Sequence, residues 1–270
     1  MEIFSSYTGA DFLAFYAVML VTCVFLGLWI PANLRPDGRT GTVEDLEEVA
    51  VLVGGADQHS VAVLSDLFAQ NALHEVRKGE LAVARTGTSA SDAGRAVLAK
   101  IGAFKLGEVQ KSLEIHAQRV EARLVRRGLL MTSDDRWKLR CISVLPYIAL
   151  FVIGLYRQQA GAALGEPTGF LIALMVVTVV LGFMRMVKFN PRTVAGNLLV
   201  RDLEDQGSRL KRAPQANEAG YAVAIFGTGV LVGTPWEPVH AMRQTGSSDS
   251  GTSGDGDGSG CGGGCGGCGG

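Results

Sequence analysis

The sequence predicts a mainly α membrane protein. It should have three transmembrane helices, a cytoplasmic region of two degenerate winged-helix-like units, and a disordered Gly/Cys tail. Three observations carry this prediction. Mean hydropathy is +0.23 and only 19% of the 270 residues are charged, a balance shifted toward membrane segments. Three long apolar runs are nearly free of charge. From Gly246 onward the composition becomes Gly, Ser, Asp and Cys, with almost nothing to build a core. The net charge of -1 exerts no global pull toward nucleic acid.

The first apolar run, "DFLAFYAVMLVTCVFLGLWIP", carries no charge between Asp11 and Pro31. About 19 such residues span a hydrocarbon core of roughly 30 Å as a helix. This gives a transmembrane helix over 12–31 after a short extracytoplasmic segment, 1–11. No Lys or Arg precedes the run and no small-residue cleavage site follows it, so it is not read as a signal peptide. The second run, "CISVLPYIALFVIGLY", gives a span over 141–157, and the third, "GFLIALMVVTVVLGFM", one over 169–187 if Arg185 snorkels. These two form a helical hairpin joined by "RQQAGAALGEPT".

Basic residues set the orientation. None precedes the first span, and Arg35 and Arg39 follow it. Arg136, Lys138 and Arg140 precede the second, while Arg185, Lys188 and Arg192 follow the third. Only Arg157 lies in the loop between the second and third. Because Lys and Arg stay on the cytoplasmic side, the N-terminus is expected outside. The 34–140 region and everything after the third span are expected in the cytoplasm.

Within 34–88, the first winged-helix-like unit, "TVEDLEEVAVLVGG" reads as a helix. Thr42 with Asp45 fits a capping box at its start, with Thr42 as the cap, and Gly54-Gly55 fits a C-terminal stop. A second helix follows in "DQHSVAVLSDLFAQNALHE", with Val61, Leu64, Leu67 and Phe68 at helical spacing. Asn71 is a left-handed cap, and Lys78-Gly79 is the turn of a hairpin. The second unit, 89–140, reads as the helices "SASDAGRAVLAKIG" and "LGEVQKSLEIHAQRVEARLVRRG", then a hairpin in "LLMTSDDRWKLR". The region carries 16 Lys and Arg against 15 Asp and Glu and is expected to fold alone. Its first unit offers Asp57, His59, Ser60 and Asp66 where a DNA-reading helix needs basic side chains, so nucleic acid is not the expected partner. His59, His74 and His116 have no partners at metal-ligand or nucleophile spacing. No phosphate loop or Ser/His/Asp arrangement stands out.

The stretch 188–245 is expected to hold a juxtamembrane helix and an apolar segment. Asn190 and Pro191 read as the helix start. Val194, Leu198, Leu199, Leu203 and Leu210 form an apolar stripe for the membrane surface or for the cytoplasmic units. "YAVAIFGTGVLVG" is too short to span a bilayer. It reads as a buried strand or packed segment, with a fourth short span as the alternative.

Five cysteines divide into two groups. Cys23 and Cys141 lie in or beside apolar runs and read as small buried hydrophobes. Cys261, Cys265 and Cys268 lie in the glycine-rich 246–270 tail, a flexible coil by composition. Their C-x3-C-x2-C spacing matches the cluster motif of radical-SAM enzymes, but no barrel fits in this chain. A structural zinc site needs four ligands, with His240 as the available fourth. Three thiols on a flexible chain also suit capture of a soft metal such as Cu(I), or covalent modification by a cysteine-modifying enzyme, or lipidation.

The N-terminal span, "EVAVLVGGADQHSVAVLSDLFAQNALHE", "LVRRGLL", "YAVAIFGTGVLVG" and "CGGGCGGCGG" together resemble a bacterial multi-pass membrane protein family of unassigned activity with a Gly/Cys-rich C-terminal tail. Some of its members are linked to multinuclear iron enzymes that modify peptide cysteines. The resemblance implies a bacterial inner-membrane location and modification or metal binding at Cys261, Cys265 and Cys268. It supplies no catalytic residues. The expected function is a non-enzymatic, membrane-anchored carrier of the cysteine tail. The competing expectation is a membrane-tethered scaffold or regulatory protein acting through its cytoplasmic units.

Overall fold

The computed structural model describes residues 9–87, 89, 91–163, 169–187, 189–212 and 214–249. In chain order the first elements are α1 (Gly9–Asn33), α2 (Leu46–Ala69), β1 (Leu73–Arg77), β2 (Glu80–Val83) and α3 (Asp92–Leu98). Next come α4 (Leu106–Arg126), α5 (Ser133–Ala163) and α6 (Gly169–Val187). The last are α7 (Val194–Gln206), α8 (Ser208–Arg212), α9 (Ala219–Phe226) and α10 (Glu237–Asp249). The protein is mainly helical, with one antiparallel pair, β1–β2, among the described residues.

Helices α1, α5 and α6 are long and apolar enough to cross a membrane, over 11–33, 133–159 and 169–187. Between 22% and 28% of each span is buried within the protein, which leaves most of each helix surface for lipid. Phe12, Tyr16, Cys23, Tyr147, Leu150, Leu171 and Met175 pack between the three. Thr178 Oγ1 donates to the Leu174 carbonyl at 2.9 Å, so the Tyr16 hydroxyl must be the donor in its 3.1 Å bond to Thr178. The bond satisfies two hydroxyls where no water is at hand.

The remaining elements share one hydrophobic core. It joins Leu52, Leu64 and Leu67 of α2 to Val109, Leu113 and Leu124 of α4, and to residues far along the chain: Val200, Val223, Ile225, Leu231, Val239 and Met242. The segment "YAVAIFGTGVLVG" is therefore neither a strand nor a fourth span. It is helix α9 followed by a 3₁₀ turn at Thr228–Leu231, and Ala222, Val223 and Ala224 have no exposed surface. Approach to α2 is close, since a Cβ on Gly220 would come within 2.5 Å of the Asp66 Cβ. The 34–140 region alone lacks this part of the core.

Local signals explain most boundaries. Asp45 caps α2, accepting from the Glu47 N–H at 3.3 Å. The helix breaks at Gly54-Gly55, where Gly55 has φ 69 and ψ -154, a conformation that excludes side chains. Asn71 takes φ 56 and the chain turns into β1. Gly79, with φ 83, closes the hairpin. The second expected hairpin does not form. Thr132 accepts from the Asp135 N–H at 3.2 Å and donates to the Asp135 carboxylate at 2.8 Å. This cap starts α5 at Ser133, so 133–140 is helix continuous with the span. Asn190 is not the cap of α7 either. Thr193 is, accepting from the Gly196 N–H at 3.1 Å, while Asn190 folds back on the Arg192 N–H at 3.0 Å. Helix α10 extends through Asp249, four residues into the stretch expected as coil.

Three chain segments at the membrane boundary are sewn together by backbone bonds. They are the exit from α1, the entry to α5 and the exit from α6. Arg39 N–H donates to Gly128 O at 3.3 Å, Thr193 N–H to Leu129 O at 3.1 Å and Met131 N–H to Pro191 O at 2.9 Å. Val194 N–H donates to Pro36 O at 3.0 Å and Ala195 N–H to Asp37 O at 2.9 Å. Arg192 crosses this seam into the domain. Its Nε donates to Leu52 O at 2.8 Å and its Nη2 to Val53 O. These are carbonyls left without helical partners by the Gly54-Gly55 break. A second clamp joins α2 to α4. Glu48 is 5% exposed and receives Arg123 Nη1 at 3.2 Å and Arg127 Nη1 at 2.5 Å.

Candidate functional site

The three tail cysteines, Cys261, Cys265 and Cys268, lie outside the described residues. The other two cysteines divide. Cys23 is buried between the membrane helices, with its thiol 3.4 Å from the Pro146 carbonyl. Cys141 is exposed on α5, not a buried hydrophobe, because the helical start at Ser133 turns that position outward. His240 already uses both ring nitrogens. Its Nδ1 meets Thr228 Oγ1 at 3.0 Å, and its Nε2 accepts from Gln244 Nε2 at 3.0 Å. Service as a metal ligand requires breaking one of these contacts. Among the described residues, no group of three or more His, Cys, Asp or Glu side chains could hold a metal ion.

A partly enclosed cavity of about 230 Å³ lies beside the start of α2. Asp45, Glu47, Asp66, Gln70, Ser89 and Ser91 supply its polar lining. The sequence places them there by two helix starts and one helix face. Asp45 and Ser91 are the caps of α2 and α3, and Asp66 and Gln70 are one turn apart on α2, with Gln70 Nε2 donating to Asp66 Oδ2 at 2.8 Å.

Two carboxylates of this cavity have been pushed in opposite directions. Burial raises the Glu47 pKa, but hydrogen bonds from His59 and Ser91, with the charges of His59 and His116, outweigh it and leave the group below its ordinary value. His59 Nε2 donates to Glu47 Oε2 at 3.1 Å, and the His59 side chain has no exposed surface. For Asp66 burial wins over the Gln70 bond and the pKa is raised. One carboxylate held ionised beside one biased toward protonation is a pairing that can bind a cationic or amide group, or pass a proton. Sequence spacing did not reveal it, because Glu47 and His59 lie on either side of the Gly54-Gly55 break and meet only when α2 bends. His59 is thus a packing histidine with a specific hydrogen-bond partner, Glu47.

No family model, curated protein or solved structure matches this chain, so the likeness to Gly/Cys-tailed membrane proteins rests on the quoted sequence segments alone. What the findings establish is a mainly helical protein with three candidate membrane-spanning helices and therefore a lipid bilayer as partner.

Proposed function

We propose that the protein is a non-enzymatic, membrane-anchored carrier of a cysteine tail. Cys261, Cys265 and Cys268 would be substrates for a cysteine-modifying enzyme, ligands for a soft metal such as Cu(I), or both. The observation that carries this reading is the C-x3-C-x2-C run in a segment otherwise nearly all glycine. Glycine on both sides of each thiol removes steric bulk, and three soft ligands on one short chain suit Cu(I) better than closed tetrahedral zinc. A base for the tail is consistent with α10, whose Val239 and Met242 are buried in the domain core.

In this reading the protein is a bacterial inner-membrane protein with its N-terminus outside and the domain and tail in the cytoplasm. The support is the clustering of Arg35, Arg136, Arg140, Arg185 and Arg192 at the domain-side helix ends, as the positive-inside rule requires. A second reading, a scaffold or regulatory protein acting through the domain, is favoured by the polar cavity at Glu47 and Asp66. The order of 46–83, a helix kinked at Gly54-Gly55 followed by a hairpin, supports likening that part to a winged helix, with a protein rather than nucleic acid as its partner.

The deciding experiment is intact-mass analysis of the C-terminal peptide from native cells, together with Cu(I) titration of the full chain. Wild type should show a tail mass shift or Cu(I) binding, and both should vanish when the three cysteines become Ser. An unmodified native mass, with Cu(I) affinity equal to that of the triple variant, refutes the carrier and leaves the scaffold.

A further inference from the structure

Arginines gather where α1, α5 and α6 meet the domain, and three of them, Arg35, Arg140 and Arg185, have no ion pair with a carboxylate among the described residues. Arg35 follows α1 directly. Its Nη1 donates to the Arg192 backbone carbonyl at 2.5 Å and its Nε to the Pro31 carbonyl at 3.4 Å, so neither contact neutralises it. Arg140 lies over the Phe189 ring at 5.2 Å, which brings the start of α5 against the exit from α6. Arg185 belongs to the last turn of α6. All three are half-buried, and the Nε atoms of Arg140 and Arg185 are buried with no hydrogen-bond partner.

The acidic groups nearby are already engaged or face elsewhere. Glu121 pairs with Arg136 at 2.8 Å, Asp135 is held by Thr132, and the exposed Asp37 and Asp134 make no ion pair among the described residues. Burial lowers the Arg35 pKa, and the charge of the nearby Arg185 lowers it further, which sets these two cations close to each other. Half-buried guanidiniums with unused donors, at a membrane boundary, call for an anion with several acceptor oxygens.

We propose that Arg35, Arg140 and Arg185 form a binding site for the phosphate of an anionic phospholipid headgroup, seated in the angle between α1, α5 and α6 on the domain side of the bilayer. The source is lipid rather than free phosphate because Arg185 lies within the apolar span itself, at the depth a headgroup reaches when its acyl chains fill the outer surface of the helices. The tryptophans Trp29, about one turn from the end of α1, and Trp137, three residues before Arg140 on α5, are 50% and 59% exposed, and exposed tryptophans near the ends of spans suit the membrane interface.

Those tryptophans provide the readout. The full chain is reconstituted in phosphatidylcholine vesicles, and quenching by brominated phosphatidylglycerol is compared with quenching by brominated phosphatidylcholine. Wild type should prefer the anionic lipid. R140Q and R185Q should each reduce the preference about fivefold, and R140Q/R185Q about thirtyfold. Each single variant reads the site if the double variant fails to insert. R77Q/R119Q, with the same loss of charge on the exposed domain surface, should leave the preference unchanged.

Equal quenching by both lipids in wild type overturns the proposal. So does an equal loss in R77Q/R119Q, which would reduce the effect to bulk charge. Sodium phosphate at matched ionic strength should leave the preference intact; its selective abolition by phosphate would reassign the site to free phosphate and overturn the lipid.

Discussion

Replacing Arg192 by Ala should loosen the first half of α2 without disturbing the membrane helices. Its guanidinium makes two bonds to helix-end carbonyls, at Leu52 and Val53. A hydrogen bond involving a charged group contributes about 1.5–3 kcal/mol, so the pair represents about 3–6 kcal/mol. Freeing the side chain returns up to about 2 kcal/mol of rotamer entropy. Arg192 is half-buried, so water replaces part of the loss, while the lost attraction of Glu204 is partly offset by relief from the neighbouring Arg35 charge. A net cost of about 2 kcal/mol remains, equivalent to about thirtyfold in a local opening equilibrium. Hydrogen exchange on the full chain in detergent reads this directly. Amides of residues 49–53 should exchange about thirtyfold faster in R192A, while those of α6 keep wild-type protection. R192K can restore one of the two bonds and should recover roughly half the effect in free energy. The backbone bonds of the seam are untouched by either change. Unaltered exchange at 49–53 in R192A refutes the capping role.

Leu231, fully buried in the 3₁₀ turn, should cost about 2–5 kcal/mol on change to Ala, measured by urea unfolding of the domain signal. Ala224→Asp should abolish protease resistance of the domain yet leave membrane-fraction yield unchanged, separating a packed α9 from a spanning one. The folded Glu47 pKa lies below its unfolded value. Its stabilisation is therefore complete above the ordinary carboxylate pKa of 4.5 and is lost as pH falls through the folded pKa. E47Q should flatten that acid limb of the stability profile. Asp66 has the opposite sign: its raised pKa makes the ionised form a liability above that value, so D66N should raise the unfolding midpoint at pH 7. Tyr16→Phe should cost about 0.6 kcal/mol of helix association, and Tyr16→Phe in a Thr178→Val background should cost nothing further.

Signals that act within one turn of chain were legible in the sequence. Charge-free length marked the spans, and Gly54-Gly55, Asn71 and Lys78-Gly79 fell where a break and two turns were expected, whereas the cap of α2 is Asp45 and not Thr42, three residues earlier. The failures share a cause. "LLMTSDDRWKLR" has hairpin composition, yet the Thr132–Asp135 cap precedes an apolar run able to propagate a helix, and propagation won. "YAVAIFGTGVLVG" is too short for periodicity to separate strand from buried helix; contact with α2 decides it. The Glu47–His59 pair and the Arg192 clamp depend on residues brought together by a kink or by a return from the membrane, which no local pattern encodes. The site built on Cys261, Cys265 and Cys268 remains a matter of composition and spacing, because it lies beyond the described residues.

The domain core takes its last pieces from beyond the third span, up to Met242 of α10, and this has a consequence for biosynthesis. At about 5–20 residues per second, the ribosome needs roughly 5–20 s after Arg140 to deliver them. During that interval α2 and α4 have no α9 to cover them, while α5 and α6 are entering the membrane. Completion of the domain therefore requires that both later apolar helices have been made and that the chain has come back past them to α2 and α4. A chain stalled before Ala219 would present an open apolar face to chaperones and proteases. The domain is thus the last part of the chain to be completed, although its first helix, α2, is made long before α5 and α6.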